Sequence, residues 1–364
     1  MILTRGLNSL LALIAAATVV ACSDPGRELT LATEKTTEEL PRWSFAQAMI
    51  FPADRSLVRP EDGIALPDGR LIVSDQVHGL RLVETDGSST PFGDLAGAGY
   101  VHAPPDRNGG ANGISLEPDG THLLLADIHH GGIYRVDVET GATERVYQHH
   151  YGVNTAVRDS RGSIWFTQST ANAAEGDEAR MWAAVDVPIS DGALLRLASE
   201  DGKLAAMAEV VIDSLLFANG LAIDEQAGLL YVAETTGGRV LRYRVDLTSG
   251  RLNERSVFAE IAADNLELDG EGYLWVASPL DNALVVVNTA TGEHHTAFQV
   301  QTPAQQAQLV EFNRLGETGT SRRELITPDL WAPLPGIVTG LIVSSAGSPV
   351  YLTGLGDALV RLPR

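Results

Sequence analysis

The sequence predicts an all-β fold, a six-bladed β-propeller built of four-stranded antiparallel blades, and three observations predict it. A pattern of apolar strand, short polar step and second alternating strand recurs six times after residue 42, at the period of roughly 40 to 50 residues that marks propellers and solenoids. A turn signal rich in Asp and Gly precedes nearly every copy. The 36 glycines and 17 prolines follow no collagen-like period, as expected for many short strands joined by tight turns.

In chain order, the first element reads as an address. Met1 to Cys22 carries Arg5, then an apolar run from Leu10 to Val20 that is shorter than the ~18 to 20 residues of a permanent bilayer span. The ending Val19-Val20-Ala21-Cys22 resembles a bacterial lipobox, so residues 1–21 are expected to be a lipoprotein signal peptide and Cys22 the lipidated residue. Residues 22–41 are polar and read as a flexible tether. The expected location is the bacterial envelope, lipid-anchored and facing the periplasm. Ser23 favours the outer membrane, and secretion is the outcome if the lipobox is not used. Cys22 is the single cysteine, which excludes an internal disulfide and any zinc site built on several thiolates.

Residues 42–364 are expected to form the propeller. The strand pairs begin at Leu71, Leu123, Ile164, Leu229 or Leu230, Leu274 and Val350, and each follows a turn such as Pro67-Asp68-Gly69, Pro118-Asp119-Gly120 or Asp269-Gly270-Glu271-Gly272. Upstream of each turn lies a short inner strand: GIAL, GISLE, TAVR, GLAID, NLELD or GLIVS. The segment WSFAQAMIF, from Trp43, is expected to pair with the last blade and close the ring, which removes free sheet edges. Helical periodicity is found only around Pro303 to Leu315. That stretch, with its loop through Gly336, and a second insertion from Ala171 to Asp191 are each expected to be a wall over the channel or surface padding. Trp165 and Trp275 lie in apolar strands and are expected to be packing residues.

Composition narrows the partners. The formal net charge of −21 argues against nucleic acid, whose binding needs a dense basic surface, and suits cations. No Gly-x-Ser-x-Gly elbow, phosphate loop or dinucleotide fingerprint is present, which argues against serine acyl-enzyme and nucleotide chemistry. A closed ring leaves no edge for pairing, and a monomer is expected. The membrane is met through the lipid only.

The inner strands begin on polar residues at one register: Glu61-Asp62-Gly63, Asn112-Gly113, Asn154-Thr155, Asn219-Gly220 and Asp264-Asn265. An Asn-Gly or Asp-Gly pair alone is a common turn former. Repeated at the channel end of five blades, they offer the carboxylate and amide oxygens that a hard cation such as calcium requires, and no thiolate set or histidine triplet favours a softer metal.

The strings PEDGIALPDGRLIVSD, FANGLAIDEQAGLLYVAETTGGRVLRYRVD and FAEIAADNLELDGEGYLWVAS resemble the senescence marker protein-30/gluconolactonase family, with strictosidine synthase-like and paraoxonase-like features. The resemblance runs from about Pro60 to the end of the chain. It implies a calcium-dependent hydrolase of lactones or related esters, with one divalent cation in the channel held by Glu61, Asn154, Asn219 and Asp264, and by Asn265 as in paraoxonases. It also implies that Asp264 doubles as ligand and base, that His129 or His130 is a surviving catalytic histidine, and that Asn112 and Asn154 meet the small-molecule lactone or ester substrate. Two departures stand out. Asn112 replaces the histidine that paraoxonase-like proteins place before Gly-Ile-Ser, and Thr155 replaces a common aspartate, which puts a second calcium in doubt. His149, His150, His294 and His295 are expected on loop or strand surfaces, the first two within reach of the channel mouth. The alternatives are a non-enzymatic envelope propeller that binds a ligand or protein around a structural calcium, and a strictosidine synthase-like protein of other chemistry.

Overall fold

The hairpin turns organise the chain. Gly69, Gly120, Gly162, Gly228 and Gly272 all adopt positive φ, between 64° and 90°, which L side chains rarely accept. Before them Asp68, Asp119, Asp159 and Asp269 accept hydrogen bonds from the main chain two residues on, at 2.8 to 3.1 Å. In two repeats the same aspartate also fixes a tryptophan: Trp165 donates to Asp159 and Trp275 to Asp269, both at 2.8 Å. These tryptophans are blade packing, as expected.

The computed structural model describes residues 40–174, 177–343 and 349–363. The expected signal peptide, the lipidation at Cys22, nearly all of the tether and the Ala346-Gly347 turn lie outside them. Among the described residues there are six four-stranded antiparallel sheets. Their inner strands are Gly63–Ala65, Ala111–Leu116, Ala156–Arg158, Ala218–Asp224, Leu266–Leu268 and Val338–Ile342, in blades one to six. Met49–Phe51 supplies the outer strand of blade six by pairing with Leu359 to Arg361, so the ring closes as the sequence predicts.

Burial follows from strand alternation. Six clusters of buried apolar side chains each bridge two neighbouring blades. Ile72, Leu80, Leu123 and Tyr134 join blades one and two, and Phe51, Val73, Ile342 and Tyr351 join blades six and one. Each blade therefore depends on both neighbours, which is how a ring of small sheets becomes cooperative.

The two insertions contribute two α-helices, α1 (Glu178–Asp186) and α2 (Pro303–Glu317). Helix α2 starts with Pro at its first position and a capping box between Thr302 and Gln305. Helix α1 carries no periodicity long enough to read: it has nine residues, of which Met181 and Ala184 are buried. The insertions are tied together where Asp186, at the end of α1, accepts from the main-chain N–H groups of Arg322 and Arg323 at 2.7 and 2.6 Å. They form walls rather than padding, since residues of both line the cavity described next.

Candidate functional site

Close approach of the inner strands explains the glycine repeated at the channel end. A Cβ on Gly113 would stand 2.8 Å from the Asn154 carbonyl, on Gly220 2.5 Å from the Asp264 carbonyl, and on Gly340 2.5 Å from the Glu61 carbonyl. None of these glycines has positive φ; they are strand residues that let the next blade's backbone come close. Hydrogen bonds Gly113 N–H to Asn154 O, Gly220 N–H to Asp264 O and Asn265 N–H to Thr339 O, each 3.0 Å, stitch successive blades at this level. The polar residue at each step is thereby held facing the axis. Blade six continues the series with Thr339-Gly340, which the sequence reading omitted; the glycine shared with the other repeats is the signal that marks it.

One cavity of about 1070 Å³ is lined by Glu61, Asn112, His129, Asn154, Asn219, Asp264 and Thr339 together. Glu61, Asn219 and Asp264 are 4%, 2% and 7% exposed. Their oxygens Glu61 Oε2, Asn219 Oδ1 and Asp264 Oδ1 are buried without a hydrogen-bond partner. Three orphaned acceptors in one enclosed place are costly unless a cation meets them, so this donor set fits a hard divalent ion.

The surrounding bonds aim these oxygens. Asn219 Nδ2 donates to Thr235 at 3.0 Å, Asn154 Nδ2 to Ser169 at 2.9 Å and Asn112 Nδ2 to Asn154 Oδ1 at 3.2 Å. Asn265 does not line the cavity; its amide donates to Glu61 Oε1 at 3.2 Å and so positions that carboxylate. Thr155 lies 3.1 Å from Asn154 Oδ1 and 3.3 Å from Asn265 Oδ1, where its single proton orders one or the other.

Burial raises the Glu61 carboxyl well above the usual range, reinforced by the nearby Asp264 and Asp62 and opposed by Asn265 and Arg59. Burial likewise raises Asp264, against the Asn219 amide and with a further push from Asp62. Asp62 is pushed up to about 7 by burial, against hydrogen bonds from the main chain of Ile114 and Gly63. A bound cation would reverse this balance by favouring the ionised forms.

The histidines divide. His129 lines the cavity, and burial lowers its pKa against the pull of Asp127 and Glu178, which favours a neutral imidazole; its Nδ1 has no partner. His130, beside it, is off the cavity, with ring nitrogens 3.0 and 2.8 Å from the carbonyl oxygens of Ala174 and Asn108. His149 lies 3.1 Å from Gln168 and His295 3.0 Å from the Pro41 carbonyl. Neither they nor His150 line the cavity, whereas the exposed His294 reaches its edge.

Sequence reasoning missed Arg59 and an aromatic wall of Trp182, Phe217, Phe312 and Trp331. Arg59 and Phe217 each stand two residues before a channel residue, Glu61 and Asn219, and both adopt left-handed φ, 50° and 55°. Strain of this kind, of order 1 kcal/mol or more per residue, is tolerated where the surroundings demand it.

A second acidic group lies outside this cavity, at Glu117, Asp119 and His122. Its carboxylates are already neutralised: Arg135 and Arg158 reach Glu117 at 2.9 and 2.7 Å, and Arg135 reaches Asp119 at 3.1 Å. It has less to offer a cation than the channel set.

Fold and site together define a class: a six-bladed propeller whose channel ends in buried carboxylates and amides beneath a walled cavity. Within that class, residues 142–313 match the family model described as SMP-30/Gluconolactonase/LRE-like region. The chain is 27% identical over 205 residues to the adipocyte plasma membrane-associated protein Hemomucin of Drosophila melanogaster, covering 54% of this chain and 33% of that protein. It is 26% identical over 172 residues to protein strictosidine synthase-like 13 of Arabidopsis thaliana, covering 45% and 40%. The matches thus span well under half the length of these curated relatives. Among solved structures, a gluconolactonase of Xanthomonas campestris superposes with a TM-score of 0.57 at 19% identity, over 85% of this chain and 87% of that one. A luciferin-regenerating enzyme gives 0.53 at 14%, over 87% and 95%. At these identities the likeness is one of fold.

Proposed function

We propose that the protein is a calcium-dependent hydrolase of lactones or related esters. The observation that carries this reading is the convergence of Glu61, Asn154, Asn219 and Asp264 on one cavity, three of them with buried, unpartnered oxygens. The SMP-30/gluconolactonase-like region, which contains three of the four, supports it. When bound, the cation supplies Lewis-acid polarisation of the ester carbonyl and stabilises the negative charge that develops on its oxygen.

The chain's own residues do the rest. Glu61, Asn154, Asn219 and Asp264 would hold the ion, Asn265 and Thr155 would orient two of these ligands, and Asn112 would face the substrate. Asp264 and the neutral imidazole of His129 are the groups able to take a proton from the attacking water. Overall, water adds to the carbonyl carbon, the acyl C–O bond breaks, the ring or alkoxy oxygen leaves as an alcohol with one proton, and the acid is released as carboxylate and a second proton.

The test is hydrolysis of sugar lactones, aliphatic lactones and aryl esters with calcium, then with excess chelator, then with calcium restored. Activity that vanishes and returns is expected. Silence across the panel from folded, calcium-loaded protein would turn the reading toward a ligand-binding propeller. We further propose that lipid at Cys22 displays this domain on a bacterial envelope. Cys22→Ser should then move the protein from the membrane to the soluble fraction, and an unchanged distribution would refute the anchor.

A further inference from the structure

The cavity is larger than a single sugar ring needs and is drier on its walls than on its floor. Its volume of about 1070 Å³ matches the upper end of sites that enclose drug-sized ligands. Polar residues concentrate on the floor, at the channel end. The sides present Met181 and Trp182 from α1, Leu309 and Phe312 from α2, and Phe217 and Trp331 from the connecting segments.

The floor's amides, moreover, are already engaged with one another and with neighbouring hydroxyls. Asn112, Asn154 and Asn219 each spend a side-chain N–H on Asn154, Ser169 and Thr235, and the Thr339 hydroxyl points to the Glu61 carbonyl at 3.3 Å. The unpartnered oxygens of Glu61, Asn219 and Asp264 are the acceptors that suit a cation. On the walls, Arg322 lies with its guanidinium 4.1 Å from the centre of the Phe312 ring and donates to the Val185 carbonyl. Arg59 stands over Trp182 at 5.9 Å. Glu260 and Glu317 are exposed at the mouth. A polyhydroxylated ring would bury hydroxyl groups against indole, phenyl and aliphatic surface, where each lost partner is penalised. An alkyl or aryl substituent would instead gain from the same surface.

We infer that the substrate is a lactone or ester bearing an alkyl or aryl group of several carbons, seated between α1 and α2, and that sugar lactones are poor substrates. The inference rests on the hydrolase reading for its chemistry but not for its binding site, and the two can fail separately.

The experiment uses the purified full chain with calcium. Values of kcat/KM are measured for δ-lactones whose side chain grows from methyl to heptyl and for glucono-δ-lactone. Calorimetric Kd values are measured for the matching δ-lactams, which resist hydrolysis. Each methylene should raise kcat/KM and tighten lactam binding about fourfold until the wall is filled, leaving glucono-δ-lactone at least about 100-fold below the best alkyl lactone. Trp182→Ala should flatten both slopes, and Trp182→Phe should restore most of them; circular dichroism verifies folding.

Lactam binding that tightens with chain length without any hydrolysis would uphold the apolar site while the hydrolase reading falls. A preference for glucono-δ-lactone, or lactam affinities independent of chain length, would overturn the inference whether or not the protein is a hydrolase.

Discussion

Replacing Asp264 by Asn removes one buried negative charge while keeping the shape of the side chain, and the structure says what must follow. Without metal, Glu61, Asp62 and Asp264 crowd one buried site, each with its carboxyl raised above the ordinary range by burial, Glu61 further by Asp264 and Asp62, and Asp264 further by Asp62. The amide relieves part of that repulsion, so in chelator at pH 8 the variant should melt no lower than the wild type and is expected to melt higher. Calcium should act only on the wild type. At 100 times Kd it adds ~2.7 kcal/mol. Spread over the unit Lys35–Arg364, with an unfolding entropy of about 2.1 cal/mol/K per residue, that is a rise of ~4 °C in Tm.

The increment should shrink from pH 8 to pH 5, because calcium needs the ligands ionised and a raised pKa makes ionisation harder. Scanning calorimetry with calcium and with chelator, at both pH values, reads all of this. An Asp264→Asn protein that keeps the full calcium increment would refute the assignment of Asp264 as a ligand. A wild type that shows no increment at millimolar calcium would refute the metal site itself.

Three further outcomes are expected. Asp62 has a folded pKa of about 7 against an ordinary 3.8. Its contribution to stability is therefore full below pH 4 and is lost as pH rises through 7, up to ~4 kcal/mol; Asp62→Asn, which can still accept from Ile114, should flatten that loss in urea titrations run in chelator at pH 4, 6 and 8, and an unchanged slope would place the titration elsewhere. Phe51→Ala removes a buried ring 5.6 Å from Tyr351 on the strand that closes the ring, and should lower stability by about 3 to 5 kcal/mol in denaturant melts; a loss under 1 kcal/mol would mean that closure is not what holds blades six and one together. Gly220→Ala would set a Cβ 2.5 Å from the Asp264 carbonyl, whereas Gly270→Ala meets nothing within 4 Å; calcium affinity by calorimetry should fall at least tenfold in the first and stay within twofold in the second, and equal affinities would remove the close-approach argument.

The sequence determined the ring. Repeat period, the Asp-Gly turns and the alternation of apolar residues are local properties, and each acts through geometry that a few residues specify: positive φ at Gly69 or Gly272, an aspartate accepting from the turn, one strand face turned to the next blade. The closing strand was legible too, since six copies of a three-strand pattern leave one strand to be found at the other end of the chain. The repeated polar residues told which end of the channel carries the chemistry, because blades in register carry equivalent positions to equivalent places.

What the tertiary structure decided is which of these residues meet. Glu61 and Asp264 are neighbours only because ring closure brings residues some 200 positions apart within range, and burial, with that proximity, raises the Glu61 carboxyl. The turn after Asp127 separates His129 from His130, giving one to the cavity and the other to two main-chain carbonyls, a choice their adjacency conceals. Asn265, expected as a ligand, donates its amide to Glu61, a contact across some 200 positions that the sequence does not show. Helix α1 and the wall of Trp182, Phe217, Phe312 and Trp331 were invisible beforehand. Their residues come from two insertions and a blade entry that share no repeat, and contacts such as the clasp of Asp186 on Arg322 and Arg323 join the insertions around one cavity. Repeats are legible because short-range geometry repeats; the pocket is not, because it is made where non-repeating segments happen to converge.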